Sequence, residues 1–176
     1  MHSKIIIETE RLILRNLSYD DYDDLILMLK DKEVMYAYEH SFSDEECIKW
    51  LNKQINNYSK YGFGLWVVVL KENGKLIGQC GLTMQSISEN DDVIEIGYIF
   101  NKDYWNNGYA TESSIYCKKY AFDVLNSDKV YSIIRYNNIS SQRVAIKNGM
   151  QKVGEIIKFY YNIYMKHYIY CTYKDS

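Results

Sequence analysis

The spacing of apolar residues divides the chain into segments of period two and segments of period about 3.6. Residues 6–15 read as a strand. Ser18 stands at a helix start, with Tyr22, Leu25, Ile26 and Leu29 on its apolar side and Asp20, Asp21, Asp23 and Asp24 on the outer face. Acids in a first turn meet the positive end of the helix dipole, so this cluster has a structural explanation. A second helix is predicted from Ser43. Glu46, three positions on, completes a capping box, and Cys47, Trp50, Leu51, Ile55 and Tyr58 keep the helical spacing. Residues 36–42, between the two helices, carry no period.

Residues 65–70 are apolar and β-branched. Asn73-Gly74 supplies a turn whose positions tolerate positive φ, and residues 75–84 return as the second strand of a hairpin. Residues 86–92 form a polar loop and 93–100 another strand. Residues 109–125 read as a helix with Ala110, Ser114, Cys117, Ala121 and Val124 along one side. A strand over 129–136 precedes a short helix over 141–148, closed by Gly149 in a left-handed conformation. Strands over 151–159 and 163–173 end the chain. The order β-α-α-β-β-β-α-β-α-β-β implies a mixed sheet with helices packed on it, an α/β (α+β) fold in one domain over residues 1–176, not an alternating doubly wound one.

Composition narrows the function classes. With 176 residues, 47% of them hydrophobic and 25% charged, the chain suits one ordinary domain. Its 21 basic and 23 acidic residues leave a formal charge of -2, no field for holding nucleic acid or an anionic membrane. The longest apolar run, around residues 65–70, is far short of the roughly 20 residues of a membrane span. Met1-His2-Ser3-Lys4 has no signal-peptide pattern, so a soluble cytoplasmic protein is expected. Cys47, Cys80, Cys117 and Cys171 form no C-x-x-C pair, and His2, His40 and His167 stand apart. No metal is expected, and the thiols read as buried and reduced. The 19 tyrosines accompany many Lys, Asn and Ile, a bias that coding from AT-rich DNA explains.

Candidate chemistry concentrates in one stretch. The strand over 93–100 leads through the polar residues 101–107 into a helix that starts at Gly108. Helix N-termini present unpaired amides and a positive dipole end to a phosphate, and glycine leaves room for close approach. Neither G-x-G-x-x-G nor G-x-x-x-x-G-K is present, so an ordinary helix start explains this stretch equally well.

Four motifs in order carry a resemblance. They are Thr9-Glu10-Arg11-Leu12-Ile13-Leu14-Arg15; Gly74-Lys75-Leu76-Ile77-Gly78 with Gly81-Leu82; Tyr104-Trp105-Asn106-Asn107-Gly108-Tyr109-Ala110-Thr111-Glu112; and Asn138-Ile139-Ser140-Ser141-Gln142-Arg143-Val144 ending at Gly149-Met150. Over about residues 7–155 the chain resembles the GNAT superfamily of N-acetyltransferases, especially its RimJ/RimL-like, ribosomal-protein-alanine branch. Trp105 stands where the wider superfamily has Gln or Arg, a change common in that branch. Ala145 stands where many members carry a tyrosine general acid.

The resemblance implies a mostly antiparallel sheet in which two parallel strands, 93–100 and 129–136, splay apart around acetyl-CoA. It implies pantetheine contacts at Tyr98, Ile99 and Phe100, with a strand amide near Ile99 stabilising the oxyanion. The pyrophosphate would lie on Asn106, Asn107, Gly108, Tyr109, Ala110 and Thr111, and Asn138 would add a side-chain contact. It implies that a primary amine attacks the thioester, that Glu95 is the base, and that Ser141 replaces the missing acid, although Ser141 is equally placed to cap a helix. The acceptor would meet Tyr36, Glu39 and His40, with Glu39 attracting a cationic amine. Peptide N-termini, polyamines and aminoglycosides all remain open as acceptors.

Two further readings belong to other classes. One is a catalytically weak GNAT-fold CoA-binding sensor or subunit. The other is a nucleic-acid module stacking bases on the tyrosine-rich strands over 160–170, which the charge and the few basic residues there disfavour. Those strands also suggest a homodimer. Ile163, Met165, Ile169 and Cys171 alternate with Tyr164, Tyr168 and Tyr170, and one face would be left as an aromatic surface.

Overall fold

A computed structural model describes residues 4–89 and 91–174. Its strands are β1 (Ile5–Glu8), β2 (Leu12–Arg15), β3 (Leu65–Leu70), β4 (Leu76–Ser88), β5 (Asp91–Phe100), β6 (Lys129–Arg135), β7 (Gln151–Tyr160) and β8 (Ile163–Tyr173). Its helices are α1 (Tyr22–Leu29), α2 (Asp44–Tyr61), α3 (Tyr109–Asp123) and α4 (Ile139–Lys147). The strands form one sheet in the order β1-β2-β3-β4-β5-β6-β8-β7. Only β5 and β6 run parallel; the other neighbours are antiparallel.

The mixed α/β architecture agrees with the sequence pattern, and the differences are local. The strand expected over 6–15 is folded into the hairpin β1–β2. Thr9 turns the chain: its hydroxyl oxygen accepts from the Leu12 amide at 2.9 Å, and its own amide donates to the Leu12 carbonyl at 2.9 Å. Ser18 opens a single 3-10 turn, Tyr19–Asp21, ahead of α1. Asp21, expected outward, is buried and holds Arg15 through two bonds of 2.9 and 2.7 Å and the Ser18 amide at 2.9 Å. Burial alone would raise its pKa, but these bonds outweigh that and hold the carboxyl below the usual range.

The box at Ser43 forms as expected, with Ser43 Oγ accepting from the Glu46 amide and Glu46 Oε2 accepting from the Ser43 amide at 2.8 Å. The aperiodic stretch after α1 contains a 3-10 turn, Val34–Tyr38. The polar loop over 86–92 is mostly strand, since β4 runs to Ser88 and β5 starts at Asp91; Asn90 lies outside the described residues, as do Met1, His2 and Ser3. The last helix starts at Ile139, not Ser141. Asn138 is its cap, with Oδ1 accepting from the Ser141 amide at 3.1 Å.

Helices cover both faces of the sheet. Leu12, Leu14, Trp66, Val68, Leu82, Ile96 and Phe100 pack with Cys117 and Ala121 of α3; Val67 and Ile99, on the other face, pack with Leu25, Leu29 and Leu51 of α1 and α2. Two glycines bring strands close together. A Cβ on Gly78 would lie 2.7 Å from the Ile99 carbonyl oxygen, and one on Gly81 only 2.1 Å from that of Gly64. Tyr168 and Tyr170, candidates for an aromatic outer surface, pack into the core on the α3 side, and the Tyr170 hydroxyl donates to Gln142 of α4 at 3.1 Å. Exposed apolar side chains at this end are instead Val153, Ile157 and Phe159 of β7, with Tyr164 at the hairpin end.

Candidate active site

The parallel pair β5–β6 is in register at a single position, Glu95 opposite Tyr131, and the strands then part. Two side chains bridge the opening. Ser132 Oγ donates to the Ile96 carbonyl at 3.0 Å, and Glu95 Oε1 accepts from the Ile133 amide at 3.1 Å. Farther along, the Tyr98 hydroxyl donates to the Ser141 carbonyl at 2.8 Å, tying β5 to α4.

The Ile96 carbonyl faces β6, the Phe100 carbonyl accepts from Trp105 Nε1 at 2.9 Å, and the Asn101 amide is bound to β4. Main-chain groups alternate along a strand, so those of Tyr98 face the gap and those of Ile99 face β4. The amide beside Ile99 that faces the gap is therefore that of Tyr98. Unpaired main-chain groups here suit an amide-bearing chain such as pantetheine.

Beside the gap lies a cavity of about 380 Å³. Tyr98, Ile99, Phe100, Asn106, Gly108, Tyr109, Ala110, Thr111 and Asn138 all line it. Gly108 has φ of 81° where the loop enters α3, and Asn106 has φ of 63°. Both sit in the left-handed region, which glycine and asparagine enter most readily. The α3 N-terminus so presented suits a phosphate, and Arg143 and Lys147 add positive charge from α4. These two cations are three and seven positions after Ser140 on one helix face, a spacing visible in the sequence.

Asn107 does not line the cavity; it builds the loop. Its Nδ2 donates to the Tyr104 and Trp105 carbonyls at 3.2 and 3.0 Å, and its carbonyl accepts from Arg11 Nη1 at 3.1 Å. The same arginine donates from Nε to Glu112 Oε2 at 2.7 Å, and Thr9 donates to Glu112 Oε1 at 2.6 Å. Burial would raise the pKa of Glu112, but the Thr9 and Arg11 bonds outweigh it and keep the carboxyl ionised more readily than usual. The β1–β2 turn is thus clasped to the start of α3.

A second cavity, about 610 Å³, opens on the α2 side of the sheet. Ala37, Tyr38, Tyr98, Ile99, Asn138 and Ser141 line both cavities, so the two meet beside the gap. Glu95 belongs to the larger one, and Thr83 Oγ1 donates to its Oε2 at 3.0 Å. Burial pushes the Glu95 carboxyl above the usual range, against the charges of Lys158 and Lys53 and the Ile133 and Thr83 bonds, which pull it down. A carboxylate so shifted is a better proton acceptor than a solvated one.

His167 is neutral. Burial lowers its pKa, and Nδ1 lies 3.0 Å from the Met165 carbonyl, which only accepts. Nδ1 therefore carries the proton, and Nε2 accepts from the Tyr160 hydroxyl at 3.0 Å.

Among the expected acceptor residues, Tyr36 lines the smaller cavity and lends its carbonyl to Arg135 Nη1 at 3.1 Å. Glu39 is ion-paired with Arg135, and His40 Nε2 lies 2.9 Å from Glu46 Oε1; neither lines a cavity. The walls of the larger cavity include residues that sequence reasoning did not place in a site. Trp50, Lys53, Gln54, Asn57 and Tyr61 share one face of α2, and Lys158 and Tyr160 share the half-buried side of β7. Tyr38 stands where the cavities meet. Burial raises its pKa, and its ring packs edge-on against Phe42 and Trp50. Ala145, at the position of the absent acid, is 2% exposed in the core.

Residues 11–151 match the acetyltransferase (GNAT) domain family. The Bacillus subtilis protein YkkB is 36% identical to the chain over 90% of its length and 92% of its own. Among solved structures, a GNAT-family acetyltransferase from Bacillus anthracis superposes with a TM-score of 0.81 at 25% identity, covering 97% of this chain and 99% of that one. The ribosomal L7/L12 α-N-protein acetyltransferase RimL, solved in complex with coenzyme A, gives 0.79 at 19% identity over 98% and 99% of the two chains, a likeness of fold. A splayed parallel pair beside a glycine-led helix start, in a chain so matched, makes this protein a member of the GNAT family of acetyl-CoA-dependent acetyltransferases.

Proposed function

We propose that the protein transfers the acetyl group of acetyl-CoA to a primary amine by direct attack in a ternary complex. One observation carries this reading: a cavity suited to a phosphate-bearing thioester meets, beside the β5–β6 gap, a second cavity that holds a carboxylate of raised pKa. The amine nitrogen attacks the thioester carbonyl and the C–S bond breaks. Glu95 accepts the proton that the amine loses, directly or through water. The Tyr98 amide donates to the developing oxyanion. Ser141, which lines both cavities, relays a proton from water to the departing thiolate, and Glu95 releases the amine's proton to water, so that both groups are restored.

The RimJ/RimL-like branch is the reading of the four motifs, and it keeps a protein N-terminus among the candidate acceptors. A cytoplasmic location is part of this reading, and four buried free thiols, with Cys80 and Cys117 Sγ atoms 3.6 Å apart in a hydrogen bond, suit a reducing compartment. A homodimer would use Val153, Ile157 and Phe159 of β7 with Tyr164 at the hairpin end, rather than Tyr168 and Tyr170. Light scattering tests it, and a monomer at working concentration overturns it.

The alternative of a CoA-binding sensor is favoured by Ala145, since no hydroxyl stands at the usual acid position. Titration with acetyl-CoA followed by an amine panel separates the readings. Primary amines are expected to be acetylated and alcohols not. Binding without turnover favours the sensor, and O-acetylation with silent amines overturns the proposed reaction.

Gly108→Trp is expected to abolish acetyl-CoA binding in a calorimetric titration while circular dichroism still reports the native fold. The bulky side chain occupies the phosphate site, and at φ of 81° the substitution adds strain of about 1 kcal/mol. Retained affinity in a folded variant would show that the phosphate lies elsewhere.

A further inference from the structure

We infer that the acceptor amine also carries an anionic group, a carboxylate or a chemically equivalent anion, held by the lysines that line the larger cavity. This rests on the acetyl-transfer reading above and names the substrate class within it.

The charged residues lining that cavity are one acid, Glu95, and three cations, Lys53, Arg135 and Lys158. His167 adds no charge, because it is neutral. Glu95 is the proton acceptor at the reacting end. Among the described residues, neither Lys53 nor Lys158 has an oxygen of an acid within ion-pair distance, whereas Arg135 is paired with Glu39. Both ammonium groups nonetheless lie near enough to Glu95 to lower its pKa.

Two elements converge to place these cations. Lys53 belongs to the α2 face that also carries Trp50 and Asn57, and Lys158 belongs to the half-buried side of β7 with Tyr160. A polyamine or aminoglycoside would bring further positive charge against these lysines, and like charges at short range repel. An amino-carboxylate meets opposite charge there while its amine faces Glu95. Its body would run between the rings of Tyr38, Trp50 and Tyr160, apolar surfaces with polar edges. Glu39, the carboxylate that the loop sequence suggested as an attractor of cations, is already engaged by Arg135.

The test uses three amines with the same benzylic reacting group: para-(aminomethyl)benzoate, benzylamine and para-xylylenediamine. Acetylation kinetics are measured for each, together with equilibrium binding to the CoA-loaded protein. The expected order of kcat/KM is para-(aminomethyl)benzoate, then benzylamine, then the diamine, with steps of roughly ten- to hundredfold carried by KM. The Lys53→Glu/Lys158→Glu double variant should reverse the order, while acetyl-CoA affinity, read separately by calorimetry, reports that the fold is intact. Each single Lys→Gln variant should narrow the gap between carboxylate and neutral amine.

A dication acetylated as well as the carboxylate overturns the inference and leaves the acetyl-transfer reading standing, as does a preference unmoved in a folded double variant. Binding of the carboxylate in preference to the other two, with no acetylation of any, upholds the inference and overturns the transfer reading. No binding and no acetylation overturns both. Free glutamate and a short acidic peptide with a free N-terminus form a second arm: preference for the first assigns the anion to a small molecule, preference for the second to a polypeptide terminus, and either upholds the anionic class.

Discussion

Glu95→Gln is expected to lower turnover by about 10²–10⁴-fold at neutral pH, with acetyl-CoA affinity nearly unchanged. The amide keeps the shape and the Ile133 hydrogen bond, but it does not accept a proton. The deficit depends on pH with a definite sign. Burial raises the pKa of Glu95, so on the acid side the wild-type carboxyl becomes protonated and its rate falls toward that of the variant. On the alkaline side more amine arrives already deprotonated, and the base is needed less. The gap between the two proteins is therefore widest between the pKa of Glu95 and that of the amine. A residue that only positions substrate gives a raised KM and a deficit that is the same at every pH. Turnover close to wild type at pH 7 would remove Glu95 from the reaction.

Gly81→Ala is expected to destabilise the fold by about 3 kcal/mol, the upper part of the range for overpacking. For a domain of this size that is a fall in Tm of roughly 6–12 °C. The added Cβ would stand 2.1 Å from the Gly64 carbonyl oxygen and 2.9 Å from the Leu65 Cα, both backbone atoms that move only if β3 and β4 separate. Gly154→Ala is the control, since its nearest neighbour is a side-chain methyl of Ile169 at 3.8 Å, an ordinary contact. Thermal unfolding of the pair decides the matter. Equal melting temperatures would mean that β3 and β4 do not approach so closely at Gly81.

The reach of the sequence pattern can be judged at particular residues. The β5-loop-α3 passage was legible because its signal is local: an alternating strand, a polar stretch, then a glycine leading a helical period. The places of Glu95 on a strand and of the residues from Asn106 to Thr111 at a helix start follow from it, while their roles entered only through the family resemblance. The divergence of β5 from β6 entered through the family motifs, because periodicity does not say which strands become neighbours. The β1–β2 turn was missed because Thr9, Glu10 and Arg11 interrupt the alternation for only three positions. Asp21 was misplaced because an acid in a first turn needs no partner, and Arg15 is not seen as one until β2 and the 3-10 turn meet. Lys53 and Lys158 were invisible for a similar reason. A lysine on an amphipathic helix or an alternating strand looks solvated, and only the tertiary fold shows that two such lysines face one cavity.

The clasp of Thr9 and Arg11 on Glu112 joins groups 103 and 101 positions apart. During synthesis the β1–β2 turn can be held first by β3 and Lys71, whose Nζ donates to the Thr9 carbonyl at 2.6 Å, and gains the Glu112 clasp only when the start of α3 has been made. Contacts this distant in sequence form late, because the intervening loop must close before they offer any return. The clasp on Glu112 is thus among the last contacts to settle, and the loop before α3, tied to Arg11 through the Asn107 carbonyl, takes its final form in the same step.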